Sequence, residues 1–477
     1  MMQENYTLLC DFYELTMANG YFVLGRKDEI AYFDVFFRTI PDGGGFAIFA
    51  GLDQLVQYVH NLHFTEEDIR FLRTKNMFGE DFLDYLRNFH FTGDIWAMKE
   101  GTPIFPGEPI ITVRAPIIEA QLVETFVLLT MNLQSLIATK ANRIVRAAEG
   151  RAVAEFGSRR AQGAQGAILG ARAAYIGGCG STACTISDRE YHIPTTGTMA
   201  HSWVQMFSDE YAAFNAYCKL YPENATLLVD TYNVLESGVP NAIRAFQENG
   251  IEHCAIRIDS GDIAYLSKKA RKMLDEAGLT QCKIVASNSL DEFIIRDLIA
   301  QGAKIDAFGV GERLITAKSD PVFGCVYKLA AVEDELGNIV PRIKISENNE
   351  KITNPSYKKV YRIIDNETGQ PIADYLTLAD EEIDESQPLE LFDPISTWKR
   401  KTVTNYTARP LHEPVFVAGE CVYDTPAIDD IKKYCLSEVD ALWDEVKRFE
   451  NPHRYYVDLS PDLWDMKQRM LKHEGQF

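Results

Sequence analysis

The chain has 477 residues, 46% of them apolar and 25% charged, the balance of an ordinary globular protein long enough for two or three domains. Its formal net charge of -21 argues against non-specific binding to nucleic acid or to an anionic membrane surface, whose fields would repel it, so any phosphate site has to be built locally. Nine cysteines with no C-x-x-C pair and no dense cluster read as reduced, mostly buried thiols rather than a disulfide frame or a zinc knuckle.

In chain order, Met1 to Leu15 carries Glu4, Asp11 and Glu14. No stretch of the chain approaches ~18 consecutive apolar residues. Neither a signal peptide nor a membrane span is expected, and the expected compartment is the cytoplasm. A helix begins near Asp11 and runs through Leu15 and Ala18, Ala31 to Phe37 reads as a strand, and Asp42-Gly-Gly-Gly45 as a turn, which makes residues 1–130 a mixed α/β segment.

From about Arg151 to Leu329 one plan repeats: a short apolar run, a polar cluster at its end, then a longer amphipathic run closed by glycine. Thr226 to Val229 ends at Asp230-Thr-Tyr-Asn233 and is followed by a helix from Val239 to Asn249 capped at Gly250. Cys254 to Ile258 ends at Asp259-Ser-Gly-Asp262, and the next helix passes Leu266, Ala270 and Leu274 to Gly278. Lys283 to Ala286 ends at Ser287-Asn-Ser289, with a helix from Asp291 to Gln301, and Ile305 to Phe308 ends at Gly309-Val-Gly311. Strand-length runs alternating with helices that stop at glycine are the signature of parallel βα units, and a (β/α) barrel or close variant is expected, with function at the carboxyl ends of its strands. Beyond Ala330 the rhythm stops: Lys359 to Ile364 reads as a strand before the turn Asn366 to Gly369, Asp380 to Glu385 as an exposed loop, and Asp424 to Leu471 as largely helical with Pro461 near a helix start. Domain boundaries are expected at 1–130, 131–340 and 341–477.

Four motifs carry chemistry. Gly309-Val-Gly311 at a strand end offers backbone N–H groups to a phosphate, or is merely a tight turn. Arg257-Ile-Asp-Ser-Gly-Asp262 sets a guanidinium, two carboxylates and a hydroxyl on one corner, suited to ribose hydroxyls, to Mg²⁺ and pyrophosphate, or to an internal ion pair. Phe156-Gly-Ser-Arg-Arg-Ala-Gln162 joins an aromatic platform to Arg159 and Arg160, as a flat aromatic acid requires, though a surface arginine pair has the same sequence. Gly197-Thr-Met-Ala-His201-Ser202 places an imidazole among small residues, either a structural histidine or a nucleophile toward phosphorus. No G-x-x-x-x-G-K-[ST] run occurs, so a P-loop for ATP is not expected.

Together with Asp11-Phe-Tyr13-Glu-Leu-Thr-Met17, Val229-Asp-Thr-Tyr232 and Val326-Tyr-Lys328-Leu, these motifs, in this order, resemble nicotinate phosphoribosyltransferase, and Lys344-Ile-Ser-Glu347 through Lys351-Ile-Thr-Asn-Pro355 looks like that family's post-barrel region. The resemblance implies an irregular (β/α) barrel of the type II phosphoribosyltransferase kind, an α/β amino-terminal domain, a carboxyl-terminal extension and a homodimer with shared sites. It implies a ligase-type glycosyl transfer in NAD salvage: nicotinate and phosphoribosyl pyrophosphate are joined at the expense of ATP, with Mg²⁺. By motif, His201 corresponds to the histidine phosphorylated by ATP, Asp230 to a carboxylate near it, and Asp259 and Arg257 to the groups that hold ribose and phosphates. Gly309 and Gly311 correspond to the turn for the 5′-phosphate. Phe156 and Tyr13 correspond to the two faces of the pyridine sandwich, Tyr13 coming from the second subunit. Asp11, Arg159, Arg160, Ser202, Ser287, Asn288 and Lys328 complete the expected substrate-binding set; metal ligands are not assigned.

Two departures stand out. Glu312 follows Gly311 where a small hydroxyl residue is expected, and the loop Gly177 to Thr182 has no carboxylate to accept an amide N–H, which favours the acid over the amide as substrate. The rival readings are a nicotinamide or quinolinate phosphoribosyltransferase, a barrel lyase with Lys328 as Schiff-base lysine, and a binding module without turnover.

Overall fold

The alternating runs of residues 137–321 build one six-stranded sheet, parallel throughout, in the order Ser181–Thr182, Ala152–Glu155, Ala307–Val310, Lys283–Ser287, Cys254–Ile258, Ala225–Leu228. The structure, a computed structural model, describes residues 5–348 and 351–474; Glu4, and residues 349–350 inside the Lys344 to Pro355 segment, lie outside them. The crossover helices fall where capping chemistry places them. Asp262 accepts from the Tyr265 N–H to start Ile263–Glu276, and Asp291 accepts from Ile294 to start Glu292–Ala300. Gly250 and Gly278 close the helices Val239–Glu248 and Ile263–Glu276 at φ of 61° and 83°, a region that side chains resist. Beneath the sheet, Leu227, Ile256, Ile284, Phe214, Phe246 and Leu274 are fully buried. At roughly 1.5–3 kcal/mol for each such side chain this core outweighs any surface ion pair, at about 0–1 kcal/mol, as the source of the unit's stability.

Residues 1–136 and 322–477 form a second compact unit. Its larger sheet is antiparallel and centred on Ile30–Phe36, a buried strand flanked by Ile111–Pro116 and Val326–Glu333. Here the fold departs from the expected 131–340 barrel segment, because the run that carries Lys328 does not extend the parallel sheet. Lys328 stands opposite Asp34, the Phe33 and Tyr327 rings stack at 4.6 Å and those of Phe37 and Phe323 at 4.8 Å. Between Val310 and Val326 the only helix, Glu312–Ile315, has four residues, too short to carry a packed crossover. The unit boundary therefore falls at 321 rather than 340.

A four-stranded sheet of this unit pairs Lys358–Asp365 with Pro371–Leu378 across the expected turn, with Tyr406–Pro410 and Val457–Leu459 at its edges. Only part of 424–471 is helical, at Ile428–Ala441 and from Pro461 on; Val457–Leu459 is a strand because it fills the free edge of Pro371–Leu378. Two buried cations stand on these strands. Lys358 pairs with Asp34 at 2.7 Å and Arg362 with Asp374 at 2.7 Å, each partner buried, so that neither charge is left uncompensated.

One helical run, 117–147, is long and apolar enough by length and composition to cross a membrane. Two-thirds of its most apolar window is buried within the protein, and it carries the buried polar Gln134, Ser135 and Asn142, the properties of a core helix.

Candidate functional site

Register explains why the motifs meet. In the parallel sheet Ser287 lies beside Gly309, Val310 beside Glu155, and Arg257 beside both Leu228 and Val285, so the segments that leave these strands share one edge. That edge collects Phe156, Asp230, Asp259, Ser287, Asn288, Gly309 and Gly311.

Arg257 organises its centre. Its Nε donates to Ser287 Oγ at 2.8 Å, Nη2 to Asp259 Oδ1 at 2.8 Å and Nη1 to Thr198 Oγ1 at 2.9 Å. The Nε–Nη2 edge, the one a phosphate would engage bidentately, is thus turned inward, and Arg257 acts here as the group that positions Asp259. Ser287 Oγ also donates to Asp259 Oδ1, which leaves Oδ2 facing Nε2 of His201 at 4.0 Å. Asp230 Oδ2 accepts the Asp259 N–H at 3.0 Å and the Ser260 hydroxyl at 2.6 Å, while its Oδ1 is buried without a partner. His201, the first residue of the helix His201–Gln205, contacts Thr231 Oγ1 through Nδ1 at 3.2 Å. Ser202 follows on the same helix and faces solvent. Thr198 and Thr231 were not singled out from sequence, although each lies within a motif that was, and Ser260 is the hydroxyl read at the Arg257 corner.

The glycine pair has a second use. A Cβ on Gly309 would lie 2.5 Å from Phe156 Cδ2, so the glycine's missing side chain is the seat of the Phe156 ring. The Phe156 N–H donates to Val310 O at 2.7 Å, and the Arg257 guanidinium stands 5.8 Å from the ring centre. Arg159 and Arg160 follow in an exposed turn, Ser158–Arg160. Glu312 accepts from Lys318 Nζ at 2.8 Å and lies 3.9 Å from Arg160; these cations hold its carboxyl below the usual range, the Lys318 hydrogen bond first.

Glu155 is the carboxylate that sequence reasoning missed. Fully buried at the end of Ala152–Glu155, it accepts from the Gly157 N–H and from Thr182 Oγ1, and burial still pushes its carboxyl above the ordinary value. The loop Gly177 to Thr182 therefore has a carboxylate beside it, with both oxygens already engaged. Gly177 is needed for packing, since a Cβ there would strike the Ala138 carbonyl.

Asp11, Tyr13 and Lys328 belong to the other unit. Asp11 precedes the helix Phe12–Val23 without capping it, and Tyr13 is 45% exposed, with burial and then Glu124 and Glu14 pushing its hydroxyl up. Lys328 lines a cavity of about 770 Å³ with Arg38, Lys358, Arg454 and Lys467. Among the described residues Asp34 is the one carboxylate on its wall, and it is paired with Lys358. Arg38 Nε is buried with no partner, and burial, then Lys358, lowers Lys467 to about 8. Five cations against one carboxylate give the lining a net positive charge in a chain of net charge -21.

Among the described residues no group of three or more His, Cys, Asp or Glu converges to hold a metal unaided. Residues 8–132 match the nicotinate phosphoribosyltransferase (NAPRTase) N-terminal domain and residues 357–467 the nicotinate phosphoribosyltransferase C-terminal domain. A nicotinate phosphoribosyltransferase of Bacillus subtilis (strain 168) is 46% identical over 470 residues, covering 98% of this chain and 96% of that protein. The crystal structure of human nicotinic acid phosphoribosyltransferase superposes with a TM-score of 0.85 at 28% identity, over 96% of this chain and 99% of that one. A nicotinate-nucleotide pyrophosphorylase structure from Pyrococcus furiosus shares the fold at a TM-score of 0.72 and 23% identity, over 92% of this chain and 97% of that one. With an ordered set of motifs at one sheet edge and full-length similarity of this degree, the chain belongs to the nicotinate phosphoribosyltransferase family.

Proposed function

We propose that the protein joins nicotinate to phosphoribosyl pyrophosphate and couples the step to ATP: nicotinate, phosphoribosyl pyrophosphate, ATP and water yield nicotinate mononucleotide, pyrophosphate, ADP and phosphate. The observation that carries this reading is the edge where His201, Asp230, Asp259 and Phe156 meet. The pyridine nitrogen attacks the anomeric carbon and pyrophosphate leaves through an oxocarbenium-like state, so the protein's task is positioning and charge stabilisation. Phe156 offers one face of a ring sandwich. Asp259, clamped by Arg257 and Ser287, is oriented for ribose hydroxyls. The turn Gly309 to Gly311 and the short helix after it present N–H groups to the 5′-phosphate, with Asn288 and Ser202 exposed at the same edge. Transfer of the ATP γ-phosphoryl group to His201 would add about two negative charges beside Asp259. Asp230, whose Oδ1 is buried and unpartnered, and Asp259 would hold Mg²⁺ together with substrate phosphates, the ligand set this ion prefers, and the ion would neutralise the leaving pyrophosphate.

The remaining assignments rest on the same base. The parallel sheet is read as the irregular barrel of type II phosphoribosyltransferases. The basic cavity around Arg38 and Lys328 suits pyrophosphate or ATP, and the exposed stripe Leu9, Tyr13, Met17 and Leu24 suits a second copy that borrows Tyr13. Nine cysteines, none of them in a disulfide, suit a reducing cytoplasm. The Schiff-base rival loses its support, since Lys328 stands on an antiparallel strand and donates to Tyr327 O. Glu155, fully buried and held by Gly157 and Thr182, presents no exposed oxygen to an amide N–H, which supports nicotinate over nicotinamide. Chromatographic detection of nicotinate mononucleotide from nicotinate, phosphoribosyl pyrophosphate and Mg²⁺, with and without ATP, tests the reading. Equal kcat/KM for nicotinamide, or no product with ATP, would sink it.

A further inference from the structure

Two side chains face the imidazole of His201, and they treat its nitrogens differently. Nδ1, on the backbone side of the ring, is in contact with Thr231 Oγ1 at 3.2 Å. Nε2 makes no hydrogen bond, its nearest carboxylate oxygen, Asp259 Oδ2, standing 4.0 Å away. Asp259 cannot close that gap freely, because its other oxygen is tied to Arg257 and Ser287 and its N–H to Asp230. We propose that Thr231 is a positioning residue that holds the His201 proton on Nδ1 and thereby directs phosphoryl transfer to Nε2.

This rests on the reading that ATP phosphorylates His201, and it specifies the atom. A nucleophilic nitrogen needs its lone pair free, so the reactive tautomer carries the proton on the other nitrogen. The Thr231 hydroxyl has two lone pairs and accepts that N–H. In the transfer the Nε2 lone pair forms the N–P bond, the bond from Pγ to the bridging oxygen breaks, and the electron pair leaves on ADP. The ring then carries a positive charge that is shared with Nδ1–H. The bond to Thr231 becomes charge-assisted and stronger at that moment, so it favours the transfer beyond what it contributes in the resting enzyme. When water later attacks phosphorus, the N–P electrons return to Nε2 and the same bond keeps the ring oriented for the next cycle. The strand end supplies Thr231 because it follows Asp230 directly, one residue on from the carboxylate that holds the Asp259 backbone.

The test uses the full chain with ¹⁵N-labelled histidine in three forms: wild type, Thr231→Val, which keeps the shape and removes the hydroxyl, and Thr231→Ser, which restores it. Long-range ¹H–¹⁵N spectra, with the His201 signal identified by its loss in His201→Asn, report the tautomer without ATP. ³¹P spectra after ATP and Mg²⁺ report which nitrogen carries phosphate. Expected are a larger Nδ1–H share in wild type and Thr231→Ser than in Thr231→Val, and phosphate on Nε2 in the first two. In Thr231→Val phosphate should appear on both nitrogens, with transfer slower by about tenfold, the value of one hydrogen bond. Phosphate on Nδ1 in wild type, or tautomer share and phosphate position unchanged in Thr231→Val, overturns the inference. A tautomer shift in Thr231→Val with no phosphate on His201 in any form overturns the phosphorylation reading and the direction of transfer with it, while Thr231's hold on the ring stands.

Discussion

Replacing Gly309 by alanine separates two uses of the same residue. The added Cβ would lie 2.5 Å from Cδ2 and 2.6 Å from Cε2 of Phe156, against an ordinary carbon–carbon contact of ~3.5–4.0 Å, so the ring has to move by about 1 Å. It cannot do so without cost, because the Phe156 N–H is bonded to Val310 O and the next N–H to Glu155. Overpacking of this kind costs about 1–3 kcal/mol of stability, a fall in Tm of a few degrees. A displacement of about 1 Å at a stacking face lowers kcat/KM for nicotinate by about a hundredfold. The backbone N–H of residue 309 is untouched, so KM for phosphoribosyl pyrophosphate should stay within about twofold. Steady-state kinetics with each substrate varied in turn, alongside thermal melting, give the two numbers. If the nicotinate parameters hold and only the phosphoribosyl pyrophosphate KM rises, Gly309 serves the phosphate and the ring-seat argument is wrong.

His201→Ala should abolish acid-labile labelling of the protein by γ-labelled ATP and the accompanying ATPase, while slow ATP-independent transfer persists; label retained in the variant removes His201 from the mechanism. Mixing Tyr13→Ala with Asp259→Ala homodimers should restore roughly a quarter of wild-type activity, since about half the dimers are mixed and each has one intact site. No rise over the parents, with subunit exchange shown by native mass spectrometry, refutes shared sites. Glu14, buried on the helix that carries Tyr13, is pushed up to about 7, first by burial and then by Glu124, against the Thr125 hydrogen bond that lowers it. Its folded pKa exceeds the ordinary 4.5, so the folded state holds more proton between these values and stability falls as pH rises from about 4.5 through about 7. Glu14→Gln should therefore melt close to wild type at low pH and above it at pH 8.5, by about 1–2 kcal/mol after solvent screening. A Tm difference that does not grow between pH 5.5 and 8.5 contradicts the assignment.

Much of the parallel unit was legible in local sequence, because its information is local. Aspartates at 262 and 291 start helices and glycines at 250 and 278 stop them, and capping depends on neighbours within a turn. The same windows placed Asp230, Asp259, Ser287 and Gly309 at strand ends, and parallel register then brought them to one edge. Tertiary structure decided what a window cannot hold. Val326–Glu333 has the composition of any buried strand, and its antiparallel pairing with Ile30–Phe36, with Tyr327 stacked on Phe33 and Phe323 on Phe37, assigned it to the amino-terminal sheet and placed Lys328 outside the parallel one. The cavity that Lys328 shares with Arg38, Lys358, Arg454 and Lys467 draws its charge from five separated positions, of which only Lys328 was singled out from sequence. Residue types at the Arg257 corner were readable, but the assignment of each N–H and oxygen was not. Ser287, Thr198 and Asp259 turned the guanidinium inward, Thr231 claimed Nδ1 of His201, and Glu155 was spent on Gly157 and Thr182, since hydrogen-bond partners are chosen by distance and angle across strands rather than by order along the chain.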